Sequence, residues 1–216
     1  MTTKLPAVDD RARWRGLYAI TRECDRDPQR WLNDIEAALR GGARYLQYRD
    51  KRADLPRRLE EARALRALTS KHGVYLIIND DLELAEAVGA DGLHLGRDDA
   101  SLAVARGRLG PEAIIGVSCY AQLERAIQAE REGASYVAFG SFFPSPTKPQ
   151  AERADTSLLA AWRMRPTPVC AIGGITLENA RDLVTAGADM VAVISALWDS
   201  ANIEETARSF ALRSSG

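Results

Sequence analysis

Short apolar runs alternate with longer amphipathic stretches along the whole chain, and this pattern predicts eight strands and eight helices. Each apolar run has four or five residues, the length of a buried strand. The predicted strands lie at 17–20, 45–48, 74–78, 92–95, 114–117, 136–139, 169–172 and 190–194. The stretches between them carry apolar residues at helical spacing and a charged opposite face. These predicted helices lie at 30–39, 55–71, 82–88, 101–109, 121–132, 157–164, 177–186 and 203–212.

A Gly-Ala pair recurs four times, at Gly42, Gly89, Gly133 and Gly187. Each pair lies at the end of a predicted helix and just before an apolar run. The spacings are 47, 44 and 54 residues. A glycine after a helix supplies the left-handed conformation that ends the helix and lets the chain turn into a strand. The sequence therefore indicates four related blocks, each with two strands and two helices.

Strand followed by helix, eight times over, predicts a single-domain α/β protein with the (β/α)8 TIM-barrel fold. The chain has 216 residues, and α/β barrels run to roughly 200–250 residues. We expect the barrel to span residues 16–216, and residues 1–15 to form a loose N-terminal extension or a partial helix. A doubly wound open sheet is the alternative topology, but its Gly-x-Gly-x-x-Gly fingerprint does not follow the first predicted strand.

Composition and charge narrow the functional classes. The net charge is −1, which argues against a nucleic-acid-binding domain. The first fifteen residues lack the apolar core of a signal peptide, and no apolar run approaches the length of a membrane span. The cysteines Cys24, Cys119 and Cys170 lack metal-ligand spacing, which favours buried thiols in a reducing cytoplasm. The two histidines, His72 and His94, are too few for a His-rich metal site and argue against a Ser-His-Asp triad.

We expect the functional residues just after each predicted strand, because barrel active sites lie at the C-terminal strand ends. Gln47, Arg49 and Lys51 follow one another at alternate positions at the end of the second strand. Alternation along a strand points all three to one side. Two cations and an amide aimed into a barrel mouth predict an anion-binding site. The alternative is a charged turn in solvent.

Carboxylates follow the next two strands. Asp80 and Asp81 come after the third strand, and Asp98 and Asp99 come after the fourth. Beside cations they suggest Mg²⁺, which takes one or two carboxylates together with substrate oxygens and waters. The alternative is that they cap the following helices, and both interpretations can hold for different members of each pair. We expect His94 to be a packed strand-end residue rather than a catalyst.

The last three strand ends carry groups suited to phosphate. Ser145, Thr147 and Lys148 lie in a proline-rich segment after the sixth strand, where they can donate to phosphate oxygens or belong to a surface loop. Gly173-Gly174 follows the seventh strand and Ser195 follows the eighth, each opening a predicted helix. Backbone N–H groups at such positions bind phosphate, and barrel phosphate sites are often built there.

Two anion sites in one barrel mouth indicate a reaction class. A pyrophosphate is a good leaving group when cations neutralise its developing charge. A second site for phosphate then fits a phosphorylated acceptor. The residues predict transfer of an organic group from its pyrophosphate ester to that acceptor. No nucleophilic side chain is required, because the acceptor attacks.

With these motifs in this order, the chain resembles the thiamine phosphate synthase (thiamine-phosphate pyrophosphorylase) family. The resemblance runs from about Gly16 to Leu212. The segments that carry it are Gly16-Leu17-Tyr18-Ala19-Ile20-Thr21, Leu46-Gln47-Tyr48-Arg49-Asp50-Lys51, Ile78-Asn79-Asp80-Asp81, Gly92-Leu93-His94-Leu95-Gly96, Gly116-Val117-Ser118, Ala138-Phe139-Gly140, Pro144 to Lys148, Ala171-Ile172-Gly173-Gly174-Ile175 and Val193-Ile194-Ser195.

The resemblance implies that a hydroxymethylpyrimidine pyrophosphate and a thiazole phosphate, with or without a carboxylate, couple to thiamine phosphate by a dissociative, Mg²⁺-assisted route. It implies that the pyrimidine pyrophosphate is held by Gln47, Arg49, Lys51, Asn79, Ser118 and Lys148. Among these the expected catalytic residues are Arg49, Lys51, Ser118 and Lys148. The implied ligands of the thiazole phosphate are Ser145, Pro146, Thr147, Gly174, Ile194 and Ser195. The implied Mg²⁺ ligands are Asp80 and Asp99, and a homodimer is a further expectation.

Two other functions are considered for a chain with these motifs. Thiazole tautomerases have a similar pattern but use a His in the loop after the fifth strand, where this chain has Cys119-Tyr120 after Ser118. A non-catalytic thiamine-precursor-binding protein would be expected to lose Lys51, Asp80 or Lys148, and all three are present. The chain departs from many relatives at Arg97, where they have Gln. It also has Ser145 where many have Thr, which keeps the hydroxyl.

Overall fold

A computed structural model gives the structure of residues 8–24, 27–51, 54–144 and 152–214. Eight parallel strands pair in chain order, and the last pairs with the first, so the sheet closes into a barrel. Because the sheet is closed, the (β/α)8 prediction is confirmed and the open-sheet alternative is wrong. No helix in these residues is both long enough and apolar enough to span a membrane.

The strands alternate with helices from the first strand onward. The strands are β1 (Gly16–Ile20), β2 (Ala43–Tyr48), β3 (Tyr75–Asn79), β4 (Gly92–Leu95), β5 (Ile114–Tyr120), β6 (Tyr136–Phe139), β7 (Val169–Ile172) and β8 (Met190–Val193). The helices are α1 (Pro28–Arg40), α2 (Leu55–His72), α3 (Leu82–Val88), α4 (Leu102–Leu109), α5 (Leu123–Arg131), α6 (Ser157–Trp162), α7 (Ala180–Ala186), α8 (Ser195–Trp198) and α9 (Ile203–Ser214).

Two predicted boundaries differ from the observed ones by three residues. The fifth strand continues to Tyr120, so Ser118 lies within β5 rather than in the loop after it. Helix α7 begins at Ala180 rather than at residue 177. The Asn179 side chain accepts from the Thr176 N–H at 2.9 Å and donates to the Gly174 carbonyl at 3.1 Å. These two bonds hold the preceding residues in a turn.

The repeated glycines have the predicted backbone conformation. All four have positive φ, from 60° at Gly89 to 122° at Gly187. An L-residue with a side chain rarely adopts such values. The chain therefore leaves each helix and enters the next strand through a position that favours glycine.

Side-chain alternation along the strands creates two cores. On β1, Leu17 and Ala19 face the helices, while Tyr18 and Ile20 face the barrel interior. The interior core joins aromatic, aliphatic and small residues from β1, β2, β3, β6, β7 and β8. The much larger outer core lies between the strands and the surrounding helices. The interior of the barrel is thus packed, as the fold requires.

The N-terminal segment packs against the barrel end from which the strands start. Residues Val8–Trp14 form a 3₁₀-helix directly before β1. The Trp14 ring stacks on Tyr45 with centroids 5.8 Å apart and an interplanar angle of 7°. Arg11 pairs with Asp189, with its Nε 2.7 Å from the carboxylate. This segment covers the end of the barrel opposite the C-terminal strand ends.

Candidate active site

The C-terminal ends of the strands surround a cavity of about 490 Å³. Eight of the predicted site residues line it, from five different strands or the residues that follow them. These are Gln47, Arg49, Lys51, Asn79, Asp80, Asp99, Ser118 and Ile194. The sequence separates them by up to 147 residues, and the closure of the barrel brings them together.

The end of β2 places an amide and two cations at the cavity. Gln47 is 3% exposed, and Arg49 and Lys51 continue the same face of the chain. Between them, Tyr48 points outward and donates its hydroxyl to Glu61 at 2.8 Å. The predicted alternation is therefore observed. The Lys51 ammonium lies 3.7 Å from the Asp80 carboxylate.

The two acids after β3 have different tasks. Asp81 accepts from the Leu84 N–H at 2.9 Å and so caps α3. Asp80 lines the cavity, and its φ of 64° is uncommon for a residue other than glycine. The capping interpretation holds for Asp81, and the cavity interpretation holds for Asp80.

The acids after β4 do not cap the next helix. Helix α4 is capped by Ser101, whose hydroxyl accepts from the Val104 N–H at 3.3 Å. The capping interpretation is therefore wrong for Asp98 and Asp99, which both line the cavity. Asp99 instead accepts from the Gly96 N–H at 2.5 Å.

Asp80 and Asp99 lie close enough to affect each other. Burial and the neighbouring Asp80 carboxylate raise the pKa of Asp99, although the Gly96 N–H opposes this rise. Two carboxylates at such close range favour a shared proton or a cation between them. In the described part of the chain, no three His, Cys, Asp or Glu side chains are grouped to hold a metal ion.

A chain of hydrogen bonds runs across the cavity floor. The Gln47 amide donates to the Tyr18 hydroxyl at 2.9 Å, and that hydroxyl lies 2.8 Å from the hydroxyl of Tyr136. The His94 ring then joins the Tyr136 hydroxyl and the Ser118 hydroxyl, each at 2.9 Å. His94 is a buried strand residue, as predicted, but it also connects two groups that line the cavity.

The tyrosines of this floor are neutral. Burial raises the pKa of Tyr18 and of Tyr136 well above the ordinary value for a phenol. Their hydroxyls can therefore donate or accept but carry no charge. Neither tyrosine is among the site residues predicted from the sequence. The signal was available, because each occupies an inward-facing position of its strand.

The structure describes some of the predicted ligands of the thiazole phosphate. Ile194 lines the cavity, and Ser195 is the first residue of α8. Gly174 has a φ of 62°, and a Cβ there would lie 2.3 Å from the Pro144 carbonyl oxygen. Gly174 thus allows the segments that follow β6 and β7 to approach closely. Ser145, Pro146, Thr147 and Lys148 lie outside the described residues.

The cysteines are buried, and Cys170 belongs to the lining of the cavity. All three are buried and free of disulfides, as predicted. Burial raises the pKa of the Cys119 thiol to about 12, so this group is a thiol near neutral pH.

Comparison with known proteins finds relatives that match most of the chain. The family model described as thiamine monophosphate synthase matches residues 17–197. The chain belongs to this family. The thiamine-phosphate synthase of Thioalkalivibrio sulfidiphilus is 54% identical over 92% of this chain and 95% of the relative. The thiamine-phosphate synthase of Thiobacillus denitrificans is 55% identical over 89% of this chain and 91% of the relative.

A solved structure shows the same architecture. The thiamine phosphate pyrophosphorylase of Pyrococcus furiosus superposes with a TM-score of 0.79 at 33% identity, covering 92% of this chain and 95% of that one. Together these comparisons confirm the resemblance noted in the sequence. This chain is a transferase of the thiamine phosphate synthase class, and its activity is thiamine phosphate synthesis.

Proposed function

We propose that the cavity couples hydroxymethylpyrimidine pyrophosphate with thiazole phosphate, with Arg49, Lys51, Ser118 and Lys148 as the catalytic residues. The observation that carries the proposal is the convergence of eight expected ligands on one cavity at the C-terminal strand ends. The comparisons support the overall reaction. The roles of individual residues rest on the geometry and on the resemblance.

The pyrophosphate is bound on the side of the cavity where β2, β3 and β4 end. Arg49 and Lys51 supply positive charge there, and Asn79 adds an amide donor. Charge-assisted hydrogen bonds to phosphate oxygens are stronger than neutral ones. The resemblance adds Lys148 as a further cation that binds the pyrophosphate. These contacts strengthen as the bond to the leaving group breaks, which lowers the barrier.

Asp80 and Asp99 would hold Mg²⁺ beside the bound pyrophosphate. The lining residues within the described ranges include three cations and four carboxylates: Arg49, Lys51, Arg97, Asp80, Asp98, Asp99 and Glu152. A pyrophosphate would thus meet a net negative surface, which a divalent cation would reverse. When bound, Mg²⁺ neutralises charge that develops on the leaving group. Two carboxylates are a typical protein contribution to such a site.

The neutral floor binds the pyrimidine. Gln47, Tyr18 and Ser118 present uncharged donors and acceptors there, and they are already linked by hydrogen bonds. These groups can form hydrogen bonds with the ring nitrogens and the amino group of the pyrimidine. The floor therefore orients the ring while the charged rim binds the pyrophosphate.

The thiazole phosphate lies on the opposite side. Its phosphate is held by Ser145, Pro146, Thr147, Gly174, Ile194 and Ser195. We infer that the thiazole nitrogen faces the methylene carbon of the pyrimidine. Orientation of two bound reactants contributes strongly to catalysis without any covalent intermediate on the protein.

The reaction follows a dissociative order. The bond between the methylene carbon and the pyrophosphate oxygen breaks first, and its electron pair leaves with the oxygen. The amino group of the pyrimidine stabilises the resulting cation. The lone pair of the thiazole nitrogen then forms the new C–N bond. No general base is needed, in agreement with the absence of a His in the segment after β5.

We further infer a cytoplasmic enzyme with small-molecule substrates and no nucleic-acid or membrane partner. Three buried cysteines that form no disulfide favour a reducing compartment. The near-neutral net charge gives no electrostatic basis for nucleic-acid binding. A homodimer follows from the resemblance alone, and analytical ultracentrifugation measures it.

The test is a direct assay with both substrates. Purified protein, pyrimidine pyrophosphate, thiazole phosphate and Mg²⁺ are mixed, and thiamine phosphate is followed by thiochrome fluorescence. We expect product formation that EDTA abolishes and that excess Mg²⁺ restores. Product without any divalent cation would remove the metal from the proposal. Thiazole isomerisation without coupling would favour the tautomerase alternative.

A further inference from the structure

At the rim of the cavity, the guanidinium groups of Arg97 and Arg125 both lie near the ring of Tyr120. The Arg97 guanidinium carbon lies 4.8 Å from the centroid of the Tyr120 ring. The guanidinium carbon of Arg125 lies 5.9 Å from the same centroid. Arg97 and Tyr120 both line the cavity. A cation over an aromatic face is attracted by the electrons of the ring.

Arg125 fixes this group to two strand ends. Its Nε donates to the Ser118 carbonyl at 2.7 Å, and its Nη2 donates to the Gly96 carbonyl at 2.9 Å. Arg125 therefore bridges the segment after β4 and the end of β5. Its guanidinium is committed to backbone acceptors. The guanidinium of Arg97, in contrast, makes no ion pair with any described residue and is exposed.

Tyr120 is held in the position that Arg97 needs. Its φ is 53°, and the register of the β5–β6 pair shifts between Ser118 and Tyr120. A Cβ at Gly96 would lie 3.8 Å from the Tyr120 hydroxyl and 2.9 Å from the Asp99 carboxylate. The ring therefore lies beside the turn that carries Asp99.

We propose that Arg97 is an additional ligand of the pyrophosphate, and that Tyr120 is a positioning residue that holds its guanidinium over the cavity. A guanidinium presents paired N–H donors that match phosphate oxygens. With its carbon over the Tyr120 ring and its side chain in the cavity lining, this guanidinium can direct such donors to the pyrophosphate. The inference rests on the proposed function, because it assumes that the pyrophosphate binds beside Asp99.

The first measurement is binding of inorganic pyrophosphate, in the presence of Mg²⁺, by isothermal titration calorimetry. We expect Arg97→Gln to weaken binding roughly tenfold, which corresponds to the loss of one charge-assisted contact. The matched control is Arg131→Gln, which removes the same charge from an exposed position on α5. We expect the control to bind as the wild type does.

The second measurement is the effect on each substrate in the coupling assay. For Arg97→Gln we expect the KM for the pyrimidine pyrophosphate to rise, while the KM for the thiazole phosphate stays unchanged. A merely structural role would alter both. Equal effects on the two KM values would therefore overturn the assignment of Arg97 to the pyrophosphate.

Two variants at Tyr120 test the positioning role. Tyr120→Phe keeps an aromatic face, and we expect it to bind pyrophosphate within about twofold of the wild type. We expect Tyr120→Leu to weaken binding about threefold or more, and to add little to Arg97→Gln in the double variant. Additive losses would show that the two residues act independently and would contradict the stacked arrangement.

The outcomes separate this inference from the function on which it rests. If the wild type binds pyrophosphate and Arg97→Gln binds it equally well, only the inference fails. If the wild type does not bind pyrophosphate with Mg²⁺ at all, the proposed site and the inference both fail. Thermal unfolding of every variant shows whether a loss of pyrophosphate binding is due to misfolding. If Tyr120→Leu misfolds, Tyr120→Phe is the more conservative variant at that position.

Discussion

At the scale of single residues, position decides what a side chain does. Asp80 and Asp81 are adjacent in the sequence, yet one lines the cavity and the other caps a helix. The positive φ of Asp80 separates them, because it turns the chain just before α3 begins. The same principle applies to Ser118, which contacts His94 at the floor, while neighbouring Cys119 is buried in the outer core.

Loss of a cation at the pyrophosphate side should slow the reaction. We expect Arg49→Ala and Lys148→Ala each to reduce kcat by about 10²-fold or more, because stabilisation of the departing charge is lost. Steady-state kinetics with both substrates measure this, and Arg131→Gln is again the charge control. Unchanged turnover in both variants would remove these residues from the catalytic set.

Loss of a carboxylate should change the response to Mg²⁺. We expect Asp80→Ala to need more Mg²⁺ for half-maximal activity, because one proposed ligand is missing. The matched control is Asp81→Asn, which keeps a helix-capping side chain at a neighbouring position. An Mg²⁺ titration that is identical in Asp80→Ala and wild type would exclude Asp80 as a ligand.

At the scale of elements, strand alternation delivers the site. Strand β5 shows this clearly, since Ser118 and Tyr120 line the cavity and Cys119 between them is fully buried. Helix α5 then adds Arg125, which joins the ends of β4 and β5. The helices therefore do more than cover the barrel, because one of them fixes the segments that carry polar groups.

The outward position of Cys119 predicts a chemically silent substitution. We expect Cys119→Ser to keep kcat and both KM values near those of the wild type, because the thiol does not line the cavity. A folded Cys119→Ser protein without activity would give that thiol a role in the reaction.

At the scale of the whole molecule, the barrel is covered at one end and open at the other. Trp14 packs on Tyr45 and lies with its ring centroid 5.9 Å from that of Tyr136. Tyr136 belongs to the hydrogen-bonded floor of the cavity. The N-terminal 3₁₀-helix thus packs against the residues that form the floor of the cavity.

Removal of this support should destabilise the fold. Trp14 is 6% exposed, and we expect Trp14→Ala to lower the free energy of unfolding by about 3–5 kcal/mol. Urea unfolding followed by circular dichroism measures this change. Met164→Ala is the control, because that side chain is 92% exposed and should contribute little. Equal stability of the two variants would show that the N-terminal helix is not part of the folding unit.

The sequence by itself determined the architecture and much of the chemistry. Periodicity depends on local geometry, so the strands, most helices and the glycines between them were predictable. Because the mouth of a barrel collects every strand end, the residues after the strands indicated an anion site and a reaction class. The order of the motifs indicated the family.

Only the tertiary structure decided how these residues meet. It separated Asp80 from Asp81, and it showed that Ser101 rather than an aspartate caps α4. It also joined Tyr18, Tyr136 and His94, which lie on different strands, into one hydrogen-bonded floor. Such contacts depend on side chains from distant positions, and their distances are fixed only when the sheet closes. Sequence spacing carries no record of those distances.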